Sequence, residues 1–257
     1  MEFSETSYYL EGIQVKSLGR DKLLNNLVAA ALSKKIYFAF ALHISALRSI
    51  SNKKYIESFS LPNTTYIDGI SILLLLKSKK LFSQLRKYPT TDLGHDLIEQ
   101  FQSTSQSQCR IALIGGENDL SREAIEILES KHKCKGVFAC SGYQNDWSDI
   151  LEKIRDSQPD IIFIGMGCPI ENIWCLENSL ALPNCLVVTC GGWFSFIAGR
   201  EKRAPQLWQA FGFEWLWRLI LNPKRLTNRY LVGLLNLIAY LIFKREKIEF
   251  FQTNDPE

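Results

Sequence analysis

The sequence predicts an α/β fold: a mostly parallel, Rossmann-like sheet with helices on both faces, followed by a C-terminal amphipathic helical appendage. Three observations carry this. Between Cys109 and Gly192, short apolar runs alternate with segments of helical periodicity, which is the pattern of βαβ units. Three of those runs end in glycine, in "IALIGG", "IFIGMG" and "VVTCGG", where strand-to-helix turns belong. After Gly199 the alternation stops, and aromatic and basic residues take over.

The elements follow in order. Residues 20–34 carry apolar positions at helical spacing, and "KIYFAFALHI" reads as a buried strand. A helix is expected around 45–59, a short strand at "TTYID", a helix on "GISILLLLKSKK" and another over 93–104. The βα rhythm then runs through "CRIALIGG", "DLSREAIEILESKHK", "KGVFACSGY", "WSDILEKIRDSQ", "DIIFIGMGCP", "IENIWCLENSL" and "NCLVVTCGG". Beyond it, two or three amphipathic helices are expected, broken near Pro205 and Pro223. The boundaries read 1–199 for the α/β domain, 200–247 for a basic, aromatic-rich appendage and 248–257 for a polar tail.

At 257 residues the chain can bury a substantial core, and 46% apolar with 22% charged residues is the composition of a folded protein. The N-terminus lacks an apolar h-region, so a cytosolic protein is expected. Cys109, Cys134, Cys140, Cys168, Cys175, Cys185 and Cys190 are odd in number and contain no CxxC pair, which argues against a disulfide framework and a zinc site. The net charge of +3 is uneven: from Arg200 to Lys247 ten Lys/Arg face three Asp/Glu, a net of +7 that leaves −4 elsewhere. An anionic partner for the C-terminal part is implied. The runs "ISILLLL" and "LVGLLNLIAYLIF" are too short to span a bilayer, although the second could lie in its interface.

In an open parallel sheet, ligands bind beyond the carboxyl ends of the strands, where loops meet helix N-termini. Gly115 and Gly116, Gly165 and Gly167, and Gly191 and Gly192 would bring three such ends together and let a diphosphate approach the backbone. Neither GxGxxG nor GxxxxGK[ST] is present. Asp68, beside Gly69 and ahead of an apolar helix, suits a general base, and it also suits a helix N-cap, the commoner job for such a residue. His43 at a strand end and His95 near a helix start are the histidines close to this edge. Neither has metal-site spacing, and no metal is expected. Arg200, Arg203, Arg218, Arg225 and Arg229 interleave with Trp208, Trp215, Trp217 and Tyr230. That mixture fits phosphate binding at a membrane surface, RNA binding, or helices packed with a basic solvent side. The apolar context of the aromatics speaks against nucleic acid.

Taken together, "YIDGIS", "IALIGG…AIEILESKH…SGY", "PDIIFIGMGCPIEN", "CGGWFSFIAGREKRAP" and "GFEWLWRLILNPKRLTNRY" resemble the motifs of the WecG/TagA/CpsF glycosyltransferases, glycosyltransferase family 26, over roughly residues 10–243. The resemblance implies an inverting transferase that moves a sugar, N-acetylmannosamine-type or another hexose, from a UDP-sugar to a polyprenyl-diphosphate-linked acceptor in surface-polysaccharide or cell-wall synthesis. It implies work at the cytoplasmic membrane face with no cofactor and no metal. Asp68 takes the position of the family's base. His43, Gly69, His95, Gly115, Gly116, Gly167, Pro169, Glu171, Gly191 and Gly192 fall to the substrates, and Arg203, Arg218, Arg225 and Arg229 to the lipid diphosphate and the membrane. Self-association through the apolar surface is a further expectation. The chain departs from the family pattern in three places: "FAFALHI" stands for a Thr-x-Asn, Glu171 for a glutamine, and Ser195 for an aspartate. Such changes alter which sugar groups can be recognised. The alternative reading is a catalytically weak relative acting as a membrane-bound scaffold.

Overall fold

The computed structural model describes residues 6–77, 87–210, 213–243 and 248–252. Its centre is a six-stranded sheet, all parallel, built from β3 (Tyr37–Leu42), β4 (Thr64–Ile67), β5 (Arg110–Gly115), β6 (Lys135–Cys140), β7 (Ile161–Gly165) and β8 (Leu186–Thr189). The spatial order is β4-β3-β8-β7-β5-β6. The inner strands β5, β7 and β8 are almost wholly buried, which is why "IALIG", "IIFIG" and "LVVT" read as continuous apolar runs rather than alternating ones.

Alternate residues still serve opposite faces. Ile111, Leu113, Ala39 and Ala41 pack under α1 (Arg20–Leu32), α5 (Thr90–Ser105) and α6 (Leu120–His132). Ala112, Ile114, Phe38 and Phe40 pack on the other side with α7 (Ser148–Asp156) and α8 (Ile170–Asn178). The helix expected around 45–59 is two, α2 (Ile44–Ser49) and α3 (Lys53–Ser58), because Asn52 starts the second by accepting the Tyr55 N–H at 3.2 Å. The helix on "GISILLLLKSKK" is α4 (Ile70–Lys77), and positions 78–80 of that expectation lie outside the described residues.

After β8 come α9 (Trp193–Ile197), α10 (Gln206–Ala210), α11 (Glu214–Leu221) and α12 (Pro223–Ile242). Pro205 and Pro223 each stand at a helix start, and Pro223 takes the first helical position, where its missing N–H costs nothing. A second sheet was not expected: β1 (Thr6–Leu10) and β2 (Ile13–Ser17) form a hairpin, and β9 (Ile248–Gln252) pairs antiparallel with β1. The segment read as a polar tail therefore contributes a strand, and 253–257 lie outside the described residues. The hairpin turns on Glu11 and Gly12, both at positive φ (49° and 82°), the requirement of a tight two-residue connection. Leu10, Ile13 and Val15 form a second core with Leu42, Ile67 and the α4 leucines, and α12 adds Leu237 and Tyr240 to it.

Candidate functional site

At the carboxyl edge of the large sheet, β3 runs into His43, β4 into Asp68, and β8 into Cys190, Gly191 and Gly192. These converge on a cavity of about 250 Å³. Its far wall is the C-terminal part of the chain: Phe196, Trp215, Arg218, Tyr230 and Leu234 face Asp68 across it.

Asp68 is held from two sides. Its N–H donates to the Leu42 carbonyl at 3.0 Å, continuing the β3–β4 ladder past the strand end. Its Oδ1 accepts the Thr90 N–H at 2.6 Å and the Thr90 hydroxyl at 3.1 Å. The carboxylate thus caps a helix, but that helix is α5, whose own Pro89 offers no side-chain cap, and not α4, which follows Asp68 in sequence. Thr90 Oγ1 also lies 2.8 Å from the Tyr66 hydroxyl, so a buried Tyr66–Thr90–Asp68 chain fixes the acid. Burial raises the Asp68 pKa above the ordinary carboxylate value, while the Thr90 donors and the charges of Arg218 and Lys87 pull against that rise. A carboxylate whose pKa is raised by burial, with a helix N-terminus and two cations opposing that rise, is suited to accepting a proton.

Arg218 projects from α11 into the cavity. Its Nη2 donates to Glu201 Oε2 at 3.0 Å and its guanidinium stacks 5.0 Å from the Phe196 ring centroid. A Cβ at Gly192 would stand 3.7 Å from that Nη2, an ordinary van der Waals contact, so the arginine lies close against the β8 loop. Its Nε is buried and unpaired. Lys87 is half-buried on the opposite lip, just before α5. His43 caps α2, its Nδ1 accepting the Ser45 N–H at 3.3 Å, while its side chain helps line the cavity.

Gly69 also lines the cavity, and the other expected site residues whose side chains are described lie elsewhere. Gly115 lets β5 and β7 close up, since a Cβ there would come within 2.3 Å of the Gly165 carbonyl oxygen, and the Gly116 N–H donates to that oxygen at 3.0 Å. Neither lines the cavity. Glu171 is buried behind it: its Oε2 accepts the N–H of Gly167 at 2.9 Å and of Gly191 at 3.0 Å, tying the loop after β7, with Pro169, to the loop after β8. His95 turns from the cavity to His132, with Nδ1 and Nε2 2.7 Å apart, and meets the Trp193 ring edge-on at 5.4 Å. Arg203 forms a bidentate pair with Asp92 at 2.7 and 3.1 Å, fastening the chain after α9 to the first turn of α5. Arg225 and Arg229 lie on α12, and their side chains are outside the described part. Ser195, in α9, offers its carbonyl to the Glu201 N–H at 3.0 Å. Among the described residues no group of three or more His, Cys, Asp or Glu side chains is placed to hold a metal.

Sequence reasoning missed Lys87, Thr90 and Phe196, while Trp215 and Tyr230 were singled out only as aromatics of the basic appendage. For Thr90 a signal existed: "YPTTDL" has Pro-Thr ahead of an acidic first turn, which marks a helix start. Nothing local pairs that start with a carboxylate 22 residues earlier.

Fold and cavity define an α/β protein whose site lies at the carboxyl edge of a parallel sheet and is walled by its own C-terminal helices. The family model for the glycosyl transferase WecG/TagA/CpsF family matches residues 8–249, and the chain belongs to that family. It is a glycosyltransferase of cell-wall or polysaccharide synthesis.

Proposed function

We propose that the protein transfers a sugar from a UDP-sugar to a polyprenyl-diphosphate-linked acceptor by a single inverting displacement, with Asp68 as base. The carrying observation is Asp68 itself: a carboxylate anchored through one oxygen by Thr90, facing a cavity that also holds Arg218 and Lys87. In this reading the acceptor hydroxyl gives its proton to the Asp68 carboxylate as its oxygen bonds to the anomeric carbon. The anomeric carbon–phosphate oxygen bond breaks, and the electron pair leaves with UDP. Arg218 and Lys87 neutralise the charge that grows on the leaving diphosphate, so no metal is required of the site. Trp215, Phe196 and Tyr230 exclude water, which otherwise competes as acceptor. The exposed apolar side of α12 brings the cavity to the cytoplasmic membrane face, where a lipid-linked acceptor resides.

The test is transfer by the purified chain from candidate UDP-sugars to a short-chain lipid diphosphate acceptor, with and without a chelator. Asp68→Asn keeps an oxygen for Thr90 but removes the base, and should lower kcat by about 10²–10⁴-fold with little change in donor KM. Unimpaired turnover by this variant would remove Asp68 from the mechanism.

A further inference from the structure

A second concave site lies at the opposite, amino-terminal edge of the sheet, with a volume of about 560 Å³. Three cations line it: Lys34 from the turn between α1 and β3, Arg110 at the start of β5, and Arg155 in the last turn of α7. The nearby acid, Asp160, is already engaged. It pairs with Lys34 through Oδ1 and accepts the Arg110 backbone N–H through Oδ2 at 2.8 Å.

The two arginines are fixed differently. Arg110 donates from Nε to the Gln158 carbonyl at 2.9 Å and from Nη2 to the Ser157 carbonyl at 2.7 Å, and Arg155 donates from Nη2 to the Ala181 carbonyl at 3.0 Å. Carbonyl oxygens orient a guanidinium without cancelling its charge, and among the described residues neither arginine is in an ion pair with a carboxylate. Part of the charge answers the C-terminus of α7. A helix end offers only about half a negative charge, so two guanidinia leave a surplus of more than one positive charge facing a concave surface. Forks held in place before a ligand arrives are suited to clustered phosphate oxygens. The volume lies in the range of small-molecule sites, roughly 300–1,000 Å³.

We propose that this rim is a second binding site, for a small molecule carrying a diphosphate. Strands of four to six residues separate it from the Asp68 cavity, roughly 13–20 Å at about 3.3 Å per residue. The two linings share no residue, so an occupant of this rim does not touch Asp68.

Binding is read directly, without turnover, so failure here and failure of the transfer reaction are separable. Inorganic pyrophosphate is titrated calorimetrically into the full chain at low salt, alongside Arg155→Gln, the double variant Arg110→Gln/Arg155→Gln, and Arg218→Gln as a change confined to the cavity. The double variant should bind about tenfold or more weakly at this site, and Arg218→Gln should leave it intact. Arg110 ties β5 to α7, so melting curves accompany the double variant. Arg155→Gln removes a single bond from an exposed residue and should by itself weaken binding several-fold. The assignment is overturned if pyrophosphate binds Arg155→Gln and the folded double variant as it binds the wild type, or if a single binding event disappears with Arg218→Gln. Inorganic phosphate binding as tightly as pyrophosphate would also overturn it, by reducing the rim to a patch that merely neutralises a helix end.

Discussion

Glu171 places a carboxylate where only 1% of the residue meets solvent, and it spends one oxygen on two backbone N–H groups from different loops. Read from sequence it is a departure that touches the sugar; in the fold it sits behind Gly191 and sets where that cavity-lining loop runs. A side chain in this role is needed for its acceptor oxygen and its length. Glu171→Ala should therefore lower stability by about 0.5–1.5 kcal/mol per hydrogen bond lost, since both N–H groups are part-buried, whereas Glu171→Gln, which keeps an acceptor oxygen, should retain most of the stability and the donor KM. Thermal melts and steady-state kinetics of the two variants separate these outcomes. A glutamine variant with an intact melting point but a changed choice of sugar would return Glu171 to the ligand. Asp68 follows a related logic with the opposite sign. Its folded-state pKa is raised, so ionising it costs stability as pH rises through that value. The Asp68→Asn variant is expected to melt no lower than wild type at pH 7.

At the scale of elements, α5 and α6 meet through a histidine pair that carries a pH dependence of its own. His95 Nδ1 and His132 Nε2 share one hydrogen bond, and His132 Nδ1 lies 3.0 Å from Glu99 Oε1. Burial lowers His95 to about 4, with Lys131 and His132 adding to the fall and Asp92 and Asp96 opposing it. His132 is lowered as well, again chiefly by burial, against the pull of Glu99. The unfolded chain, with histidines near 6.5, then binds more protons than the folded one between about pH 6.5 and 4. Stability is therefore fully present above that window and lost as pH falls through it. A second proton on the pair would also set N–H against N–H. The melting temperature should drop between pH 7 and pH 5, and His95→Phe should flatten that drop; equal slopes would show that the pair is silent. Elements are also where sequence reasoning succeeded and failed for identifiable reasons. The parallel strands were legible because burial on both faces leaves continuous apolar runs, and the breaks among the C-terminal helices because Pro205 and Pro223 mark helix starts, whereas the start at Asn52 inside 45–59 went unread. The β1–β2 hairpin went unread because a Glu-Gly turn is a weaker signal than Asn-Gly or Asp-Gly, and β9 because its partner lies at the other end of the chain. The site was half legible for the same reason. Asp68 and the β8 glycines follow strands and could be placed on an edge, but which glycine-ended strands border the cavity depends on the order β4-β3-β8-β7-β5-β6, which brings β4, β3 and β8 together and sets Gly115 and Gly116 apart.

For the molecule as a whole, α12 is both core and surface. Leu226, Tyr230, Leu237 and Tyr240 point inward and are at most 7% exposed; Gly233 lets the helix close on α2, where a Cβ would meet Ile44 Cγ1 at 2.7 Å. Tyr240 donates to Glu11 Oε1 at 2.8 Å and Asn236 Nδ2 to the Leu47 carbonyl at 3.2 Å. Cutting the chain at Gly199 would strip part of the second core, so a truncation cannot test membrane binding cleanly. The outward stripe can. Leu231, Leu235, Ile238 and Ile242 recur at helical spacing and are 55%, 58%, 43% and 62% exposed, with no described element covering them. No helix among the described residues is long and apolar enough to cross a membrane, but a stripe of this kind beside a segment of net charge +7 suits the interface of an anionic bilayer. Each leucine moved out of water contributes about 1.5–3 kcal/mol. Leu235→Glu combined with Ile242→Glu should therefore reduce flotation with anionic liposomes by at least tenfold, leave the melting temperature close to wild type because neither side chain is in the core, and slow transfer to a long-chain lipid acceptor more than to a short-chain one. Unchanged flotation by a folded double variant would mean that this face meets something other than a bilayer, and that the lipid-linked acceptor reaches Asp68 by a different side of the molecule.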